Sequence, residues 1–92
     1  MKLAHLHEAK YAQDPVVERL NALIRRWHEV EMHFIEEFVE GDHVTESLLR
    51  YLGPEDRVYM DESDTVLMWD REGFNITYEP KSQGGWICIE GK

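Results

Sequence analysis

The sequence has one cysteine, no long apolar run and few basic residues, and each shortage excludes a class of protein. A single cysteine, Cys88, cannot form an internal disulfide, which is typical of proteins in a reducing cytosol. No apolar run approaches the roughly 18 residues of a transmembrane helix. Residues 1–8 are too polar for a signal peptide. We therefore expect a cytoplasmic protein with no membrane-spanning segment.

Basic residues are scarce, with 10 lysines and arginines against 19 acidic residues and a net charge of −9. None lies between Arg26 and Arg50, a stretch that holds Glu29, Glu31, Glu36, Glu37, Glu40, Asp42 and Glu46. Such a field repels nucleic-acid phosphates and anionic membranes. We expect no direct binding to either. The stretch is then either a contact for a basic partner or a solvated face that keeps the chain soluble.

The residues that catalysis and metal binding need are also few or badly spaced. His28 and His33 lie about 140° apart around a helix and cannot chelate one ion. A calcium-like loop begins at Asp61 but has Val66 where its turn needs glycine. Cys88 lies between two isoleucines, without a neighbouring base, and no serine sits in a glycine elbow. We expect no enzyme activity, no metal and no cofactor.

The first part of the chain, residues 1–53, reads as helical. Asp14 and Pro15 are a typical N-cap and first helical residue. Apolar residues then recur every three or four positions, which predicts one long helix over 15–39, ended by Gly41: Val16, Leu20, Leu23, Trp27, Val30 and Phe34. Its length would be roughly 37 Å. A short second helix is predicted from Asp42 to Leu52, ended by Gly53 and Pro54.

The second part, residues 54–92, reads as a four-stranded antiparallel β-meander with strands 57–60, 65–69, 74–78 and 86–89. The loop lengths set Met60 opposite Thr65, Val58 opposite Leu67, Trp69 opposite Phe74, Leu67 opposite Ile76 and Thr65 opposite Tyr78. The predicted core face is Val58, Met60, Leu67, Trp69, Phe74, Ile76 and Tyr78. The other face then carries Tyr59, Val66 and Met68 beside Asn75 and Thr77. A one-residue bulge would exchange the faces.

The last strand is apolar at every position, so its parity stays open, and this suggests cover on both faces. The apolar stripe of Tyr59, Val66 and Met68 is then covered either by the N-terminal residues 1–13 or by a partner. The fold prediction is a single α+β domain over 1–92, with one long and one short helix packed on the four-stranded meander.

The N-terminal residues Met1-Lys2-Leu3, Leu6, Glu8-Ala9-Lys10-Tyr11-Ala12 and Pro15-Val16-Val17 resemble the start of small uncharacterised proteins of tailed bacteriophages. The resemblance implies a phage-encoded viral protein that acts in the host cytoplasm. Small acidic phage proteins of that kind commonly bind and block a host protein.

Three functions are compatible with these observations. The first is a small binding protein that inhibits or redirects a host protein with a basic or apolar surface. Its predicted contact residues are Tyr59, Val66, Met68, Glu29, Glu36, Glu40 and Asp42. The second is a DNA mimic whose carboxylates imitate phosphates and block a nucleic-acid-binding host or defence protein. The third is a self-associating structural protein, possible as a homodimer in which the long helix pairs with that of a second copy.

Overall fold

The computed structural model describes residues 14–30, 33–61 and 64–92, and it has the predicted α+β class. Residues 1–13, which carry most of the phage resemblance and the predicted N-terminal cover, lie outside the described residues. The elements in chain order are α1 (Pro15–Val30), β1 (Phe34–Glu40), α2 (Val44–Leu52), β2 (Arg57–Asp61), β3 (Asp64–Arg71), β4 (Phe74–Lys81) and β5 (Gly84–Gly91). The strands form one antiparallel sheet in the order β1-β5-β4-β3-β2, which has five strands instead of the predicted four.

The predicted long helix is wrong in its second half. The helix begins as expected, with the Asp14 carboxylate accepting a hydrogen bond from the Val16 N–H at 2.9 Å, but it ends at Val30. Residues 34–40 form β1 instead, paired with residues 84–90 of β5. A spacing of four residues keeps side chains on one side of both a helix and a strand, so Phe34 and Phe38 satisfied either structure. Aromatic and β-branched residues favour the strand.

The second helix ends where the sequence predicts. Gly53 has φ +87°, and its N–H donates to the Leu49 carbonyl at 2.9 Å, which is the role of a glycine just after a helix. The helix starts at Val44, two residues later than expected, with residue 43 outside the helical region. The indole N–H of the fully buried Trp69 donates to the Gly53 carbonyl at 2.9 Å and attaches this helix end to the sheet.

The register of the meander is predicted correctly in one hairpin and wrongly in the next. Met60 lies opposite Thr65 and Val58 opposite Leu67, as expected. Between β3 and β4, however, Leu67 lies opposite Tyr78 and Trp69 opposite Ile76, a shift of two residues. The shift arises because the chain reverses tightly through residues 72–73, where Gly73 has φ +89°. An even shift leaves every side chain on its predicted face.

One continuous core lies between the helices and one face of the sheet, which we call the helix-side face. It consists of Val16, Leu20, Leu23, Ile35, Val39, Val44, Leu48, Trp69, Ile76, Tyr78, Ile87 and Ile89. Because Ile87 and Ile89 are buried here, Trp86 and Cys88 lie on the opposite face, which we call the outer face. The parity that the sequence left open is therefore set by pairing on both sides of β5.

The helices do not cover the far edge of the sheet. Helix α1 packs on β1, β5 and α2. Val58 and Met60 belong to the helix-side face by register, yet they are 54% and 64% exposed. The prediction that these two residues are core is wrong, because β2 is the sheet edge farthest from β1 and β5. Among the described helices, none is long and apolar enough to cross a membrane.

The pairing of β1 with β5 makes Gly84 intolerant of a side chain. A Cβ at Gly84 would lie 2.3 Å from the Val39 carbonyl oxygen, whereas a Cβ at Gly73 would meet nothing within 4 Å. Both glycines have positive φ, so both substitutions cost backbone strain. We expect Gly73→Ala to lower the free energy of unfolding by about 1 kcal/mol and Gly84→Ala by roughly 3 kcal/mol, measured by urea denaturation. Equal costs would contradict the observed position of β1.

Candidate interaction surface

The predicted contact residues do not form one patch. Tyr59, Val66 and Met68 lie on the outer face in β2 and β3, where Tyr59 is directly opposite Val66. Glu36 and Glu40 lie on the same face, but in β1 at the other edge. Three strand spacings separate β1 from β3, which is roughly 14 Å. The apolar and acidic parts of the predicted site are thus at opposite edges of the sheet.

The other predicted acidic contact residues, Glu29 and Asp42, lie outside the sheet, and the members of the apolar stripe differ in exposure. Glu29 is exposed on α1, which packs against the other face of the sheet. Asp42 is exposed in the connection between β1 and α2. Val66 is only 4% exposed, so its side chain offers almost no contact area, and Met68 is half-buried. Tyr59, at 42% exposure, is the most accessible member of the apolar stripe.

A second cluster occupies the outer face where β1 meets β5. We call it the aromatic–acidic patch, and it consists of Phe34, Glu36, Phe38, Glu40, Trp86 and Glu90. Phe34 is 49% and Trp86 is 40% exposed. The rings of Phe38 and Trp86 meet edge to face with centroids 5.3 Å apart, a favourable arrangement that orients both. The sequence analysis identified Glu36 and Glu40 but not the aromatic rings beside them.

The sequence analysis missed these rings because it assigned residues 34–39 to a helix. It placed Phe34 in the apolar stripe of a helix, and without β1 the parity of β5 could not be read. One signal could have revealed the strand: residues 34, 35, 38 and 39 are all aromatic or β-branched, within a stretch of only seven residues. Alternation then exposes residues 34, 36, 38 and 40 on one face.

Among the described residues, few basic side chains neutralise the negative charge of the carboxylates of this patch. On β1, Glu37 points to the helix side, where Arg19 and Arg26 pair with it. Glu36 and Glu40 make no ion pair within residues 14–30, 33–61 and 64–92. Among the described residues, Glu90 has only His33 as a basic neighbour, at 3.9 Å between the Nε2 and carboxylate oxygen atoms. The patch therefore presents negative charge around exposed aromatic rings.

Lys81, a base on the outer face at the end of β4, is already paired with two carboxylates. The Lys81 ammonium contacts carboxylate oxygens of Asp64 and Glu79 at 2.8 Å each. The hydrogen bond from Lys81 lowers the pKa of Asp64, and its two carboxylate partners raise the pKa of Lys81. The charge of Lys81 is thus directed at its own neighbours, and it does not offset Glu36 and Glu40.

Cys88 lies directly opposite Glu36 on β1 and Thr77 on β4. Burial raises the pKa of the Cys88 thiol, and the nearby Glu36 and Glu90 carboxylates add to this effect by disfavouring a further negative charge, so that the pKa is about 11. The reactive form of a cysteine is the thiolate, which is therefore scarce at neutral pH. This geometry makes Cys88 a poor nucleophile and a small packing residue.

Two further features complete the surface. An open recess of about 250 Å³ lies next to the patch, lined by Pro15, Val16, Arg19, Phe38, Val39 and Glu40. It adds a concave edge where α1 meets β1. Within the part of the chain that the structure describes, no three histidine, cysteine or acidic residues are grouped so as to hold a metal ion.

Comparison of the chain with family models, with curated proteins and with solved structures finds no match. The bacteriophage resemblance therefore stays a prediction.

The electrostatic effect of the patch on Cys88 can be measured. Replacing Glu36 and Glu90 by glutamine removes two negative charges that disfavour the thiolate, so we expect the pKa of Cys88 to fall from about 11 towards its usual value. The measurement is the pH dependence of thiol alkylation under native conditions. Glu72→Gln, in the turn between β3 and β4, is the control and should leave the pKa unchanged. An unchanged pKa in the double variant would contradict the geometry.

Proposed function

We propose that this chain is a small binding protein that attaches to a partner protein through the aromatic–acidic patch. The observation that carries the proposal is the group of exposed rings, Phe34 and Trp86, on the sheet face opposite the one that the two described helices cover. Exposed aromatic side chains are the residues that most often dominate protein–protein binding, because they bury a large area with little loss of conformational freedom.

The charge of the patch defines the chemistry of the partner. Glu36, Glu40 and Glu90 surround the rings. The complementary surface is an apolar pocket bordered by lysine or arginine, which would be drawn in by the net charge of −9. Following the N-terminal resemblance, we propose a phage-encoded protein that inhibits or redirects a host protein in the cytoplasm. The stripe at Tyr59 and Met68 is then secondary, since Val66 is buried.

A DNA mimic is less well supported by the placement of the acids. Such a mimic needs carboxylates arrayed like phosphates along one surface. Here Glu29 lies on α1, Asp42 in a loop and Glu36 between two aromatic rings. Rings between the carboxylates favour a partner with an apolar pocket. The two functions differ in salt dependence, because a purely Coulombic contact weakens steeply with salt whereas ring burial does not.

Pairing of two helices is also disfavoured as the basis of self-association. That hypothesis depended on an apolar stripe extending to residue 34 along one long helix. The helix ends at Val30, and its stripe is used within the domain, with Leu20 and Leu23 at 0% and 2% exposure.

The test uses immobilised chain and bacterial lysate, with bound proteins identified by mass spectrometry. Phe34→Thr and Trp86→Thr keep strand propensity but remove the rings. We expect each to weaken capture of the specific partner about thirtyfold, equivalent to roughly 2 kcal/mol. Val30→Ser is the matched control, because Val30 is 54% exposed at the end of α1. Equal capture by all variants would contradict the proposed site.

The charge contribution is tested with the same partner. Glu36→Gln and Glu40→Gln together should weaken binding and reduce its dependence on salt, because both effects arise from the same carboxylates. Glu46→Gln on α2 is the control and should do neither. Binding that disappears entirely at high salt, yet tolerates loss of both rings, would instead support the DNA mimic.

A further inference from the structure

The outer strand β2 has an edge that no described strand pairs with and side chains that neither of the two described helices covers. It is the last strand of the sheet, beside β3 alone. Val58 and Met60 are 54% and 64% exposed, although their register places them on the helix-side face. An apolar edge strand is a template for another strand, and natural proteins usually protect such edges with charge, proline or a covering element.

We infer that β2 is a self-pairing edge that joins two copies of this chain. The strand reads Arg57-Val58-Tyr59-Met60-Asp61. In an antiparallel pair centred on Tyr59, Val58 of each copy lies opposite Met60 of the other. Arg57 then lies opposite residue 61, an aspartate. A two-fold interface requires a surface that is complementary to itself. This short strand is self-complementary at both its apolar and its charged positions.

The pairing also places the apolar side chains together. Directly opposite residues of an antiparallel pair share a face of the sheet. The two copies of Val58 and Met60 would therefore lie side by side on the helix-side face of one ten-stranded sheet. This is the face that α1 and α2 leave uncovered at β2. In the dimer, each copy therefore covers the Val58 and Met60 side chains of the other copy, which α1 and α2 leave exposed.

The net charge of −9 does not forbid this contact. Charges more than about 8 Å apart are largely screened at physiological ionic strength, so the charges along the strand itself matter most. That strand has one basic and one acidic residue. Of the acids beside it, Asp56 lies 3.8 Å from Arg71 and Asp64 lies 2.8 Å from Lys81, so both have basic partners of their own. The aromatic–acidic patch lies at the opposite edge of the sheet, where it stays available to a partner protein.

The contact is small, and its strength follows from its size. Five residues from each copy bury less area than the roughly 1,200 Å² of a standard stable interface. We therefore expect a weak dimer with a dissociation constant on the order of 0.1 mM, measurable by sedimentation equilibrium. A wild-type chain that stays monomeric up to about 1 mM would overturn the inference.

A charge exchange tests the register. Arg57→Asp alone places two acidic residues opposite each other at both ends of the pair, and Asp61→Arg alone does the same with two basic residues. Each variant should dimerise about tenfold more weakly than wild type. Mixing the two variants restores opposite charges at both ends and should restore association, at the same average net charge as wild type. A mixture as weak as its components would exclude this register.

A second pair of variants locates the interface. Met60→Lys introduces a charge opposite Val58 of the second copy, within the proposed contact, and should abolish the dimer. Val30→Lys makes the same kind of change at a similarly exposed site on α1 and should leave it intact. Both positions are exposed in the single chain, so neither variant should unfold it, which circular dichroism checks. If both variants, or only Val30→Lys, lose the dimer, the interface lies elsewhere.

Discussion

The backbone pairing of β1 with β5 is the contact on which the rest of the structure depends. It runs over seven residue pairs, from Phe34 opposite Glu90 to Glu40 opposite Gly84. Without it, β5 would be an exposed edge with four apolar side chains in a row. With it, Ile87 and Ile89 are buried under α1 together with Ile35 and Val39. The same pairing decides that Trp86 and Cys88 face away from the core.

That pairing also places the acidic residues of β1 on two different faces of the sheet. Alternation along β1 sends Glu37 towards α1, where arginines neutralise it, and sends Glu36 and Glu40 outward beside the aromatic rings. The proposed function follows from this division, because exposed rings then share one face of the sheet with carboxylates that make no ion pair within the described residues. The strand β2 at the opposite edge has exposed apolar side chains and one residue of each charge, which suits a different kind of contact. One small sheet thus has two chemically distinct edges.

Two local signals in the sequence were read correctly, namely the helix start at Asp14-Pro15 and the helix end at Gly53. The interpretation of Gly41 as a helix end was wrong, because this glycine follows β1. Patterns that fit two structures were also misread. Residues 34–39 satisfied both a helix and a strand, and only the need of β5 for a partner decides between them. Glu36 and Glu40 were predicted as contact residues, but Glu90 and the rings of Phe34, Phe38 and Trp86 were missed, since their common face exists only after that long-range pairing forms.

A designed disulfide tests this pairing most directly. Glu36 lies opposite Cys88, and directly opposite residues in an antiparallel pair have Cα atoms about 5 Å apart, within the range that a disulfide spans. Glu36→Cys should therefore form an intramolecular disulfide with Cys88 under a thiol oxidant at low protein concentration, detected by peptide mass. Glu40→Cys, on the same strand and face but opposite Gly84, should stay reduced. Failure of Glu36→Cys to cross-link, or equal cross-linking of both variants, would contradict the strand pairing and the surface derived from it.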